Sequence, residues 1–417
     1  MKEGIRIDDL ARPKLTETAQ GLLNSVTEEM VVLDAEGIME AARSQAGLTD
    51  FGALDFVVRL GLVCDAYRAD KNLTTMGRLT ASTVLIRAAV QRLRHEALWR
   101  QHPEIADAEI SRPIIIAGLP RTGTTHMLNL ISVDTRLRSL RYWEALEPFT
   151  AADEVTPAGA EDPRLQRCRD EFAFRDAIMP YFKNMHEMLA EHIHEEAELQ
   201  MLDYSTQFIE TMGLLPGWRD YYLSHDQTPH YLYMKRVLQA LQWLRGPHRW
   251  IMKSPQHVEQ LLPLRRTFPD ATYVITHRDP VAIATSLITM LGYAARIGRS
   301  PVDLREIAVY WVDRIERMLG ACVRDSDTLP PEQTIHVRFD EFMADDLGTI
   351  DRIYSLANHP LTAGVRGAME GYIADNPRSR HGQIEYDLKG DFGIDPDELY
   401  ERYQPYTDKF QVVLERA

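Results

Sequence analysis

The first hundred residues repeat apolar positions at helical spacing. Phe56, Val57, Val58, Leu60 and Leu62 form one such group, and Val84, Leu85, Ala88, Ala89 and Leu93 another. Residues 15–99 are therefore expected to form a layer of helices, with 101–105 as the connection out of it. Beyond that point short apolar runs, several rich in β-branched residues, predict buried strands at 114–116, 249–252, 272–276 and 334–337, with a further short strand across 137–143. Helical stretches separate these strands. That alternation predicts the α/β class, with a short parallel sheet whose ligands gather beyond the carboxyl ends of its strands. Residues 1–110 read as a helical region packed on the core, and 111–417 as the α/β domain with a helical insert at about 150–247. Residues 151–163, with their Pro, Gly, Asp and Glu, read as an exposed loop. There is no internal repeat and no low-complexity segment.

Composition narrows the function. The 417 residues are 45% hydrophobic, enough for a sizeable core, and carry a formal net charge of −15. A surface so acidic excludes nucleic acid as a partner, so any anionic ligand must be held by a few focused arginines and backbone amides. Cys64, Cys168 and Cys322 lie far apart without metal spacing and read as reduced residues of a cytoplasmic protein. The start of the chain lacks the apolar stretch of a signal peptide, and no run approaches a membrane span, so no stable membrane anchor is expected. A homodimer is left open.

The candidate chemistry begins at Pro113-Ile114-Ile115-Ile116-Ala117-Gly118-Leu119-Pro120-Arg121-Thr122-Gly123-Thr124-Thr125. An apolar strand runs into a turn in which Gly118 and Gly123 let the backbone curl its N–H groups into one anion-binding concavity. The glycine spacing is that of a P-loop, which makes the expected fold a P-loop-like three-layer core plus a helical N-terminal layer. Thr124, however, stands where a nucleoside triphosphatase has lysine, and the cation has moved into the loop as Arg121. A second strand ends in Tyr273-Val274-Ile275-Thr276-His277-Arg278-Asp279-Pro280, where Asp279 can cap a helix and Pro280 suits its first position. Ser286 follows Arg278 by eight residues.

The Pro-Arg-Thr-Gly-Thr-Thr loop resembles the 5′-phosphosulfate loop of sulfotransferases that use 3′-phosphoadenosine 5′-phosphosulfate (PAPS), and Arg278 with Ser286 resembles their 3′-phosphate pair. The resemblance implies that Arg121, Thr122, Gly123, Thr124, Thr125, Arg278 and Ser286 hold PAPS, with no metal required. It extends to Trp250-Ile251-Met252-Lys253-Ser254-Pro255-Gln256-His257, similar to the Lys-Ser-Pro-x-His of a bacterial branch, where Lys253 would contact the sulfuryl group. Pro255 occupies the place of the histidine base of cytosolic sulfotransferases. The family's closing Arg-Lys-Gly segment finds its nearest match in Arg380-His381-Gly382, with Arg378 as a further phosphate ligand.

Transfer to a hydroxyl needs a proton acceptor. Glu144 is the first candidate, by resemblance to sulfotransferases with a glutamate at a similar distance after the loop; the alternative is an ion pair with Arg141 or a pocket arginine. His257 and His126 are also candidates, and His192 or Glu195 could orient the acceptor. His192 and Glu196 fall four apart and on a helix would share a face in the manner of a metal pair, but no third ligand has supporting spacing. The methionines and aromatics of residues 181–243 favour a bulky apolar alcohol as acceptor if some of them line the pocket. Two rivals stand beside the sulfotransferase reading: a nucleotide-dependent phosphotransferase, which a requirement for Mg²⁺ and ATP would support, and a non-catalytic binder of adenine nucleotides.

Overall fold

The computed structural model describes residues 4–154, 156–157, 159–246, 248–377 and 384–416. Its centre is a five-stranded, all-parallel sheet of β1 (Ile114–Ala117), β2 (Leu137–Arg138), β3 (Arg249–Ser254), β4 (Thr272–His277) and β5 (Thr334–Arg338), in the order β2-β3-β1-β4-β5. Alternate residues of each strand face opposite sides, so the middle of a strand buried on both faces is mostly apolar. Ile115, Trp250, Met252, Tyr273 and Ile275 pack on one side against helices Thr228–Arg245, Pro280–Gly298 and Leu304–Asp325. Ile114, Ile116, Ile251 and Val274 pack on the other against helices Thr124–Ile131, Asp346–Leu356 and Ala363–Asp375. The result is helix, sheet and helix, as the strand and helix pattern predicts.

Two local expectations change. The strand across 137–143 stops at Arg138, because the N–H groups of Tyr142 and Trp143 turn to the carbonyls of His192 and Ala190 and residues Tyr142–Leu146 close into a helical turn. Helix Pro280–Gly298 is also, by length and composition, apolar enough to cross a membrane, which corrects the reading that no run approaches that length. Most of it is buried, and its Ile283, Leu287 and Ile288 sit in the main core.

The helices at Ala35–Ala46, Phe56–Ala69 and Thr75–Gln101 share a core with Met201, Tyr204, Trp218 and Tyr222 from the stretch between β2 and β3. A buried ion cluster fastens this contact. Asp203 accepts from Arg59 at 2.7 Å and Arg92 at 2.9 Å, and its other oxygen lies 2.6 Å from His230 Nδ1. Burial alone would raise the Asp203 carboxyl, but His230, Arg59 and Arg92 hold it below its ordinary 3.8. The stabilisation is therefore complete above about pH 4 and is lost as pH falls through the depressed value. Asp203→Asn leaves two buried arginines short of a partner and should cost about 3–5 kcal/mol at neutral pH. It should also flatten the acid limb of the stability curve in urea melts at neutral and acidic pH.

Candidate functional site

β1, β3 and β4 end side by side, with Ala117 opposite both Ser254 and Ile275, so whatever follows them shares one rim. After β1 the chain turns so tightly against β4 that a Cβ on Gly118 would run into the Thr276 hydroxyl. Thr122 Oγ1 lies 2.7 Å from that same hydroxyl and donates to the Leu119 carbonyl at 2.8 Å. Arg121 and Gly123, on either side, are left-handed at φ 72° and 84°. This backbone presents its N–H groups at the start of helix Thr124–Ile131, an arrangement suited to an oxyanion.

A cleft of about 680 Å³ opens over the loop, bordered by Arg121, Gly123, Thr124, Thr125 and Arg278. Arg278, just beyond β4, donates from Nη1 to the Arg121 carbonyl at 2.7 Å and lies 4.0 Å over the ring of Phe339. Arg121 donates to the Met185 carbonyl at 2.8 Å, and its buried Nε has no hydrogen-bond partner among the described residues. Thr122 and Ser286 are brought close but do not border the cleft. The Thr122 hydroxyl serves the loop's attachment to β4, and Ser286 donates at 3.1 Å to Tyr386, which borders the cleft in its place. Arg378, Arg380, His381 and Gly382 lie outside the described residues.

Lys253 is almost fully buried near the end of β3, and its Nζ is paired with Glu195. Its backbone N–H donates at 2.8 Å to Glu196, which also lies 3.6 Å from His257 Nε2. Burial alone would raise the Glu195 carboxyl, but Lys253, with His194, overrides it and holds the group below its ordinary 4.5. Glu196, without such a cation, is raised by burial despite His257. His186, on the cleft wall, is pushed down to about 3 by burial, with Lys253 and Arg121 adding to the effect and Glu195 opposing it, so its imidazole is neutral.

None of Lys253, Glu195, Glu144 and His257 borders this cleft; Lys253 and Glu195 lie behind its wall at His186, on which both act electrostatically. Glu144 is 1% exposed, with both oxygens 2.7 Å from Arg138 Nη2 and one also 2.7 Å from Arg245 Nε. It is the ion-pair alternative that the structure favours, with Arg138 and Arg245 as partners rather than Arg141. Its lone pairs are committed to two cations, so it is poorly placed to take a proton. His257 is fully buried against Tyr231, 2.9 Å away. His126 and His192 do border the cleft. His192 and Glu196 share no helical face, because the helix begins only at Ala197. Among the described residues no three His, Cys, Asp or Glu side chains gather as a metal site. Of the methionines and aromatics in residues 181–243, Met185 borders the cleft, while Trp218, Tyr222 and Tyr231 are core. His186, Tyr386 and the pairing of Glu195 with Lys253 carry no spacing signal, since distant segments bring them together.

A parallel α/β sheet with a loop suited to an anion after its central strand and cations at the neighbouring strand ends is an architecture that suits a group-transfer enzyme. The model of the sulfotransferase family matches residues 113–363, and the chain belongs to that family. Among solved structures, the sulfotransferase STF9 from Mycobacterium avium is 26% identical, with a TM-score of 0.81 over 93% of this chain and 99% of its own. The sulfotransferase STF1 from Mycobacterium tuberculosis H37Rv is 27% identical, with a TM-score of 0.77 over 88% of this chain and 97% of its own. A comparison with curated proteins gave no match.

The loop's attachment to β4 is open to a suppressor test. Gly118→Ala should push the loop off Thr276 and weaken binding of a nucleotide phosphate at least tenfold, of the order expected when a binding group shifts by about an ångström. Adding Thr276→Ala removes the obstructing hydroxyl and should restore part of the loss, read by calorimetric titration of the single and double variants.

Proposed function

We propose that this sulfotransferase takes its sulfuryl group from PAPS and passes it in line to a hydroxyl of a small-molecule acceptor. The observation that carries the reading is the convergence of the Arg121–Thr125 loop and Arg278 on one cleft, joined by the 2.7 Å bond from Arg278 to the Arg121 carbonyl. The donor set suits such a ligand: a buried, unpartnered Arg121 Nε, backbone N–H groups at a helix start, and a second arginine for a second phosphate. PAPS, when bound, would supply an activated sulfuryl group on a phosphate leaving group. The loop and Arg121 would hold the 5′ end, and Arg278 the 3′-phosphate.

Catalysis by this chain is then mainly positioning and charge stabilisation, as in phosphoryl transfer through a loose transition state. Lys253 and Arg121 offset negative charge at the transferring group and the leaving oxygen. Glu195 takes the acceptor's proton. It is the partly exposed carboxylate beside Lys253, whereas Glu144, Glu196 and His257 are buried among partners. A weakly basic carboxylate suffices where bond formation lags, as for the aspartate of protein kinases. The neutral His186 imidazole borders the acceptor's approach, and Met185, Met343 and Ile384 give the cleft apolar wall, which supports an acceptor with an apolar body. The three buried free cysteines, each with its thiol pushed up to about 12 by burial, support a reducing, cytoplasmic setting.

Calorimetric titration with adenosine 3′,5′-bisphosphate, AMP and ATP with Mg²⁺ tests the donor. The bisphosphate should bind most tightly, and Arg278→Ala should erase its advantage over AMP. Preference for ATP with Mg²⁺ would support a phosphotransferase instead. For the base, Glu195→Gln should lower kcat by about a hundredfold or more while leaving bisphosphate affinity near that of the wild type. Because the Glu195 carboxyl sits below 4.5, the wild-type rate should stay level as pH falls toward that value and drop only beneath it; an acid limb near neutrality would assign the role to a histidine.

A further inference from the structure

Arg278 is held from behind. Its Nε and Nη2 donate to the two carboxylate oxygens of Glu415 at 2.6 and 2.7 Å, and its Nη1 donates to the Arg121 carbonyl. Phe339 supports the flat face of the guanidinium. A guanidinium has five N–H groups in a rigid plane. Glu415 takes two and Arg121 one, which leaves two without a partner among the described residues. Arg278 borders both the large cleft and a smaller cavity of about 210 Å³, and Glu415 borders only the smaller one, together with Val412 and Val413. The carboxylate thus approaches from the side away from the cleft.

The segment carrying Glu415 is itself anchored. Asp279 caps helix Pro280–Gly298 through Oδ1, which accepts from Val281 at 2.8 Å, and its Oδ2 accepts from the Glu415 backbone N–H at 2.5 Å and from the Tyr400 hydroxyl at 3.0 Å. Upstream, the Phe410 ring stacks on His277 at 4.1 Å, and the Val412 N–H reaches the Thr407 carbonyl at 3.1 Å. Downstream, the Arg416 guanidinium lies 4.5 Å over Tyr400. Residues 410–416 therefore cross the ends of β4 and β5 as a fixed strap that delivers one carboxylate to one arginine.

We infer that Glu415 is a positioning residue for nucleotide binding: by holding one edge of Arg278, it aims the remaining N–H groups into the cleft at the 3′-phosphate. The inference rests on the PAPS reading. It runs against simple electrostatics, because deleting a negative charge beside a phosphate site should by itself tighten phosphate binding. The sign of the effect therefore discriminates. A side chain as long as arginine, released from its bidentate partner, regains rotamers that point elsewhere, and ordering it again counts against binding.

The test is calorimetric titration of the wild type, Glu415→Ala, Glu415→Gln and Glu415→Asp with adenosine 3′,5′-bisphosphate and with AMP, beside thermal melts. The expected result is about tenfold weaker bisphosphate binding in Glu415→Ala, the lower end of what loss of an outer-shell partner costs a metal site. Glu415→Gln should lose less and Glu415→Asp least, with AMP affinity and melting temperature unchanged. If the wild type binds the bisphosphate and Glu415→Ala binds it equally or more tightly, Glu415 is a bystander or a competitor and the inference falls alone. Equal losses for the bisphosphate and AMP would mean a general disturbance and would also overturn it. A wild type that does not bind the bisphosphate overturns the PAPS reading and the inference together.

Discussion

The site depends on how closely the chain leaving β1 can approach β4. Gly118 permits a contact that any side chain would block, and the Thr122 and Thr276 hydroxyls lock it at 2.7 Å. From this single contact follow the left-handed turn through Arg121, the start of the helix at Thr124, and the hydrogen bond from Arg278 to the Arg121 carbonyl. The two arginines on which the proposed donor site rests are therefore tied together by a bond from the Arg278 side chain to the loop backbone at Arg121. That is the form of preorganisation expected where charge must be met without rearrangement.

For an acidic protein the proposed binding of an anionic donor poses a charge problem, and the solutions here are local. Several cations are matched to carboxylates: Arg314 lies fully buried between Glu210 and Glu259, and Arg59 and Arg92 share Asp203. Arg121 stands apart: it donates to the Met185 carbonyl and its Nε has no hydrogen-bond partner among the described residues, while Lys253 is held by Glu195, a carboxylate that is partly exposed. Removing a buried partner costs more than the pair contributes in net terms, so these clusters fix geometry more than they add stability.

Much of this was legible in the sequence, for identifiable reasons. The apolar runs became strands: β1, β3 and β4 are covered on both faces, where a strand has little freedom to be polar, while β5 is a partly buried edge strand, and the glycine positions marked the loop after β1 because a sharp turn needs them there. Arg121, Thr124, Thr125 and Arg278 reached the cleft because each lies within a few residues of a strand end. What was not legible depends on distant partners. Glu144 looked like a base until Arg138 and Arg245 closed on it, and the helical spacing of His192 and Glu196 failed because that stretch bonds to the backbone of Leu140, Tyr142 and Trp143. Glu415 has no local signature, since its meaning arises only where residues 410–416 cross β4.

The central claim is that this cleft moves a sulfuryl group from PAPS to a hydroxyl. The most direct measurement follows sulfur-labelled PAPS with the purified protein and a panel of hydroxylated lipophiles, quantifying adenosine 3′,5′-bisphosphate and labelled product together. The account predicts that the two appear in equal amounts and that the label resides on an acceptor oxygen. Label released only as inorganic sulfate, or PAPS left unconsumed across the panel while ATP is turned over, would contradict it.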